Sequence, residues 1–301
     1  MSAVQPEWLQ NGTGLAPRVA WSFGTDAELI GLEMARETGE VLAVDASGGV
    51  YRMSRQGKIE AVSRGLHNVR FVRWCDTGDA GLVVADKNQF SIVDRDLNVV
   101  WSSKAPWPIL GGAIDAYGHN LALSLEDGNT VLFSVDKKKL CQFNTIKSLS
   151  FLQFVAGKPG LIGVAEHGHL CRHNFEGKEL WSEKIWATVG DLSISGDGKL
   201  IFLAEFAHGI QSYDLRGNSL ANYVVEGTPS RLSVSFFGER LVTCTAERYL
   251  YWLDSDGALL WAAETPDDVA ALVCDPLGEW LVVGFASGRI VRLDWETDRP
   301  K

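Results

Sequence analysis

Residues 231–263 read RLSVSFFGERLVTCTAERYLYWLDSDGALLWAA and hold four short apolar runs: Arg231 to Ser235, Leu241 to Thr245, Tyr249 to Asp254 and Leu259 to Ala263. Val, Leu, Tyr, Phe and Trp fill these runs, and none is long enough for a typical helix, so each predicts a strand. Phe236-Phe237-Gly238 separates the first two runs, and Asp254-Ser255-Asp256-Gly257 separates the last two. An Asp that opens a turn accepts hydrogen bonds from the turn backbone, and Gly takes the positive φ that a Cβ penalises. The stretch therefore predicts one antiparallel sheet of four strands joined by tight hairpins.

The same pattern recurs along the chain with a period of 40 residues. Trp261 belongs to the row Trp21, Ala61, Trp101, Cys141, Trp181, Ala221, Trp261. Seven residues earlier stand Ser54, Asp94, Ser134, Asn174, Asp214, Asp254 and Asp294, and four earlier stand Gly57, Leu97, Lys137, Gly177, Gly217, Gly257 and Thr297. Strand-built repeats of this period signal propeller blades. Seven periods after Trp21 arrive at residue 301, so the seventh repeat lacks its fourth strand, while Val19 to Phe23 is a fourth strand without its other three. Pairing the two completes the last sheet and removes open edges. The expectation is an all-β, seven-bladed propeller over residues 18–301, after an N-terminal extension, residues 1–17, draped loosely over it. The tryptophan row falls early in each fourth strand, where a large aromatic covers the seam between neighbouring sheets.

Composition narrows the function classes. A formal net charge of −10 argues against general nucleic-acid binding, which rests on neutralising phosphates. The run Lys137-Lys138-Lys139 reads as a solvated hairpin tip. Met1 to Glu7 has neither a basic start nor an apolar core, and no stretch approaches membrane-spanning length, so a cytoplasmic protein without membrane insertion is expected. The five cysteines, at 75, 141, 171, 244 and 274, are scattered among strand patterns, and no structural disulfide is expected.

The segments Asp254-x-x-Gly257-x-x-x-Trp261 and Asn174-x-x-Gly177-x-x-x-Trp181, with the partial Asp94…Trp101, resemble the repeat of pyrroloquinoline-quinone-type propellers. The glycine turns after the first strands, such as Asp115-Ala116-Tyr117-Gly118 and Ser195-Gly196-Asp197-Gly198, resemble those of WD-repeat proteins, although no WD dipeptide closes the third strands. The likeness covers nearly the whole chain and implies a fold rather than an activity. The quinone enzymes carry adjacent cysteines beside their cofactor, and this chain has none, so no active-site residue carries over and no cofactor is expected. Nucleophile-elbow, phosphate-loop and dinucleotide motifs are also missing; Gly12-Thr13-Gly14 runs into Leu15-Ala16-Pro17 and completes no fingerprint.

Two groups of residues stand outside the lattice. His169, Cys171 and His173 alternate along one strand face, and imidazole with thiolate suits zinc. Residues two apart on a strand are about 6.6 Å apart, however, too far for one ion to take all three, and their rows are otherwise filled by Val131, Phe133, Tyr251 and Leu253. Packing is the expected role, and no metal. The second group lies in loops at one end of the blades: His67, Trp107 and Trp186 before first strands, and His167, His169, His208, Arg248 and Tyr249 between second and third strands, with Arg70 and Arg73 at the channel mouth. Trp107 and Trp186 have no counterpart in the core rows, so they are either recognition aromatics or folded under neighbouring loops. The expected function is a noncatalytic scaffold or assembly subunit that binds a protein or peptide on this face. A small-molecule or sugar binder, or an enzyme, acting at the channel mouth is the alternative. The sequence leaves the oligomeric state open.

Overall fold

The computed structural model describes residues 6–295. Seven antiparallel sheets follow one another around a central channel. Their innermost strands are Leu29–Ala35, Val69–Trp74, Ile109–Ile114, Phe151–Phe154, Val189–Ile194, Pro229–Val234 and Val269–Cys274, which number blades 1 to 7. Blade 6 continues through Arg240–Thr245, Tyr249–Asp254 and Leu259–Glu264, as the sequence runs predict. Blade 7 takes its outer strand, Arg18–Gly24, from the other end of the chain. That strand pairs with Arg289–Asp294, setting Trp21 opposite Arg292 and Phe23 opposite Ile290.

The hairpins form as their chemistry dictates. Asp254 Oδ1 accepts the N–H of Asp256 at 3.0 Å and of Ala258 at 2.8 Å, and Asn174 and Asp214 make the same pair of bonds in their turns. Among the described residues, the residue three after each polar opener has positive φ even where it is not glycine, with Leu97 at 66° and Lys137 at 69°.

The third-to-fourth turns are also the seats for three of the row's four tryptophans. Trp21 Nε1 donates to Arg55 O at 3.0 Å, Trp101 Nε1 to Val135 O at 2.7 Å and Trp181 Nε1 to Leu215 O at 3.0 Å, each a carbonyl in the following blade's third-to-fourth turn. The indole lies so close to the turn glycine that a Cβ added at Gly57 would stand 2.6 Å from the Trp21 ring, and one at Gly217 2.9 Å from Trp181. Arg292 and Arg172 donate to the same two carbonyls, those of Arg55 and Leu215.

Seams without a tryptophan are filled by other means. Beside Ala61 the turn residue Leu97 is buried and supplies the missing apolar volume. Beside Cys141 the Phe143 ring lies over Gly177 and stacks on His173 at 3.9 Å. Beside Ala221 the phenol of Tyr223 packs on Gly257 and donates to Ser255 O at 3.2 Å.

The N-terminal segment departs from the loose drape expected of it. Glu7–Gln10 forms one helical turn that buries Leu9, Trp8 packs on Trp261 and Phe285, and Thr13–Gly14 pairs with Ala262 and Trp261 as a fifth strand of blade 6. Trp295 Nε1 donates to Leu15 O at 2.8 Å. Trp8 and Leu9 carry enough apolar surface to hold the segment down. Under this cover Trp261 is fully buried, while Trp21, Trp101 and Trp181 keep solvent contact.

Trp181→Ala is expected to cost about 2–4 kcal/mol, because it opens a cavity in the seam and removes one of the two hydrogen bonds to the Leu215 carbonyl. Gly217→Ala, which drives a Cβ into the indole at φ 89°, should also destabilise. Both would show as lower urea midpoints with little change in slope.

Candidate interaction face

The innermost strand of each blade has one edge paired and the other open to the channel, so its N–H and C=O groups need partners from elsewhere. In blades 3, 5, 6 and 7 side chains of the preceding blade supply some of them. Gln153 Oε1, Asp191 Oδ2 and Ser233 Oγ accept the N–H of Ile194, Leu232 and Cys274 at 2.9–3.0 Å. Arg70, Arg73 and Arg231 donate to the carbonyls of Ile109, Gly112 and Ala270.

Around these bonds runs a channel cavity of about 750 Å³. Arg73 Nη1 also meets Glu33 Oε1 at 2.8 Å within it. Burial raises the carboxyl pKa of Glu33, against the opposing pull of Arg73, and likewise that of Asp191, against Arg231. Arg73 thus lies within the channel rather than on the loop face, and Arg70 clamps blade 2 to blade 3 at its mouth.

The loops that carry the remaining candidates share one face because neighbouring strands alternate in direction. The connections from fourth strand to next first strand emerge on the same side as those from second to third. Trp107 is 51% exposed and Trp186 80% exposed, so neither is folded under its neighbours. Lys184 Nζ stands 3.6 Å from the Trp186 ring centroid, a cation–π contact that steadies the indole in solvent. His67, His167 and His208 are exposed on the same face, as is Arg248, whose Nη2 lies 3.5 Å from Glu264, and Tyr249 is partly exposed. A bridge between His167 and Thr188 and the bond from Lys147 Nζ to His167 O tie the loops around Trp186 together.

His169 takes no part in this surface. It is buried, although Tyr249, which opens the equivalent strand of blade 6, is exposed. Its neighbours are likewise committed to packing: Cys171 Sγ faces Gly163 O at 3.6 Å, burial pushes its thiol up to about 12, and His173 lies against Phe143. Among the described residues no group of three His, Cys, Asp or Glu is spaced to hold a metal ion.

Three members of the face escaped the sequence reading. Ile146 is 89% exposed and Val224 83% exposed, and Phe206 is also exposed. Ile146 stands forty residues before Trp186, so the period itself carried the signal. Trp107, Ile146, Trp186 and Val224 occupy the consecutive connections leading into blades 3, 4, 5 and 6, and form an apolar crescent.

Burial holds the pKa of His169 and His173 below the ordinary 6.5. As pH falls below that value the unfolded chain takes up protons that the folded imidazoles refuse, so stability drops with acidification. His169→Phe with His173→Phe should flatten this acid limb in urea unfolding followed across pH.

No protein-family model matches the chain, and no curated protein matches it. Among solved structures it is similar to the crystal structure of the Myceliophteria thermophila Cps50 (Swd1) β-propeller domain, with a TM-score of 0.81 at 14% identity. The match covers 93% of this chain and 100% of that one. At this identity the likeness shows the fold, a β-propeller.

Proposed function

We propose that this propeller is a noncatalytic interaction scaffold that grips a protein or peptide segment along the crescent of Trp107, Ile146, Trp186 and Val224. The observation that carries the reading is that four consecutive inter-blade connections each hold a large apolar side chain out in solvent. Exposed aromatics flanked by cations have the composition of binding hot spots. His67, His167 and His208 surround the crescent as polar rim.

The other features fit the same role. The Asp-x-x-Gly-x-x-x-Trp signature is used up in the seams and brings no active site with it. The thiols of Cys171 and Cys244 are pushed up to about 12 and 11 by burial, which makes them poor nucleophiles. Five free cysteines fit a cytoplasmic setting. No helix among the described residues is long and apolar enough to cross a membrane.

A second reading rests on the channel, whose volume and whose Glu33, Arg73, Asp191 and Arg231 side chains suit a small polar ligand. The two separate experimentally. Affinity capture from a native extract should return a reproducible partner, and Trp107→Ala with Trp186→Ala should reduce its recovery at least tenfold while leaving the melting temperature unchanged. A metabolite that raised the melting temperature strongly, with no partner captured, would favour the channel instead.

A further inference from the structure

A propeller exposes one row of backbone edges, the outer strands of its blades, and such edges pair with other chains unless something prevents it. Six of the seven outer strands carry a charged residue. Glu60 stands in Ile59–Ser63, Lys104 in Val99–Lys104, Lys139 in Lys139–Asn144, Glu179 and Glu183 in Glu179–Glu183, Glu264 in Leu259–Glu264 and Arg18 in Arg18–Gly24. The exception is Ser219–Tyr223 of blade 5. It lies in the uncharged run Asn218-Ser-Leu-Ala-Asn-Tyr-Val-Val225, with Leu220 54% exposed and every residue of the strand but Tyr223 exposed.

Blade 6 demonstrates that an outer strand of this fold accepts a further strand. There Thr13–Gly14 pairs with Ala262 and Trp261, and Leu15 N–H reaches Leu260 O at 3.1 Å. The counterparts on blade 5, forty residues earlier, are Asn222, Ala221 and Leu220. The fourth-strand bulge falls at the same place in both blades and does not prevent pairing in blade 6. On blade 5 no segment among the described residues covers the edge.

We infer that Ser219–Tyr223 pairs antiparallel with the same strand of a second copy across a two-fold axis, joining two blades into one continuous sheet. Charge selects this occupant. A two-fold axis brings to the shared edge the same charges that the strand already carries, so that an axis through Trp181 of blade 4 sets Glu179 opposite Glu183, whereas Ser219–Tyr223 brings no charge to its copy. An axis through Ala221 sets Ala221 opposite itself and Leu220 opposite Asn222, and the uncharged Val224 and Val225 extend the contact.

Sedimentation velocity of the full chain over a concentration series tests the inference. The wild type should reach twice the monomer mass, and Leu220→Lys should return it to monomer with an unchanged circular-dichroism melt. Leu180→Lys, the matching change on the outer strand of blade 4, should leave the dimer intact. Ala221→Cys should give a dimer band on a nonreducing gel that a reductant dissolves. A wild type that stays monomeric at every concentration would overturn the inference. So would a dimer that survives Leu220→Lys, a dimer lost equally with Leu180→Lys, or an Ala221→Cys protein that fails to cross-link.

Discussion

An indole laid on a turn of the next blade, with its N–H on that turn's carbonyl, is the contact on which this ring depends. A single four-stranded sheet has two apolar faces and cannot bury either alone, so each blade is stable only against its neighbours. The seam contact fixes the distance and angle of that packing. It asks for a positive-φ residue at one fixed place in the turn, and for an aromatic at one fixed place in the preceding fourth strand. Where the aromatic is lost, the structure restores the volume locally through Leu97, Phe143 or Tyr223, with no change of period. The lattice conserves filled space more strictly than it conserves tryptophan.

The channel solves the complementary problem. Inner strands crowded around an axis leave backbone groups with no strand to pair, and water in a narrow channel is a poor substitute. Gln153, Asp191, Ser233 and the arginines act as side-chain struts across the gaps from blade 2 to 3, 4 to 5, 5 to 6 and 6 to 7. Their charges are held in protein contacts, so the raised pKa of Glu33 and Asp191 follows from burial within the architecture. The outer rim has the opposite constraint, since its edges face solvent; blade 6 has its outer strand covered by Thr13–Gly14, and of the remaining outer strands only that of blade 5 carries no charge.

Much of this was legible before any coordinates, because the deciding signals are periodic. Blade number, strand order, hairpin chemistry and closure by Val19 to Phe23 all follow from phasing one row of residues against another. Exposure is different. Whether Trp107 and Trp186 stand in solvent depends on the packing of neighbouring loops, which has no period to read, and His169 is buried at a strand position where its counterpart Tyr249 is exposed. Docking of the N-terminal segment was hidden for the same reason: Trp8 and Leu9 belong to no repeat row, and their pocket is assembled from Trp261, Phe285 and other residues distant in sequence.

Closure of the ring by its two ends has a consequence for synthesis. Arg18–Gly24 emerges from the ribosome early but pairs with Arg289–Asp294, and Thr25 bonds to a carbonyl 263 residues away. Until the last blade is made, Val19, Trp21 and Phe23 have no sheet to join, and Trp8 lacks Phe285, one of the two rings it packs on. Closure therefore follows synthesis of the last blade and is limited by one long-range search. During that interval the nascent chain exposes an apolar strand that a cell must keep from aggregating.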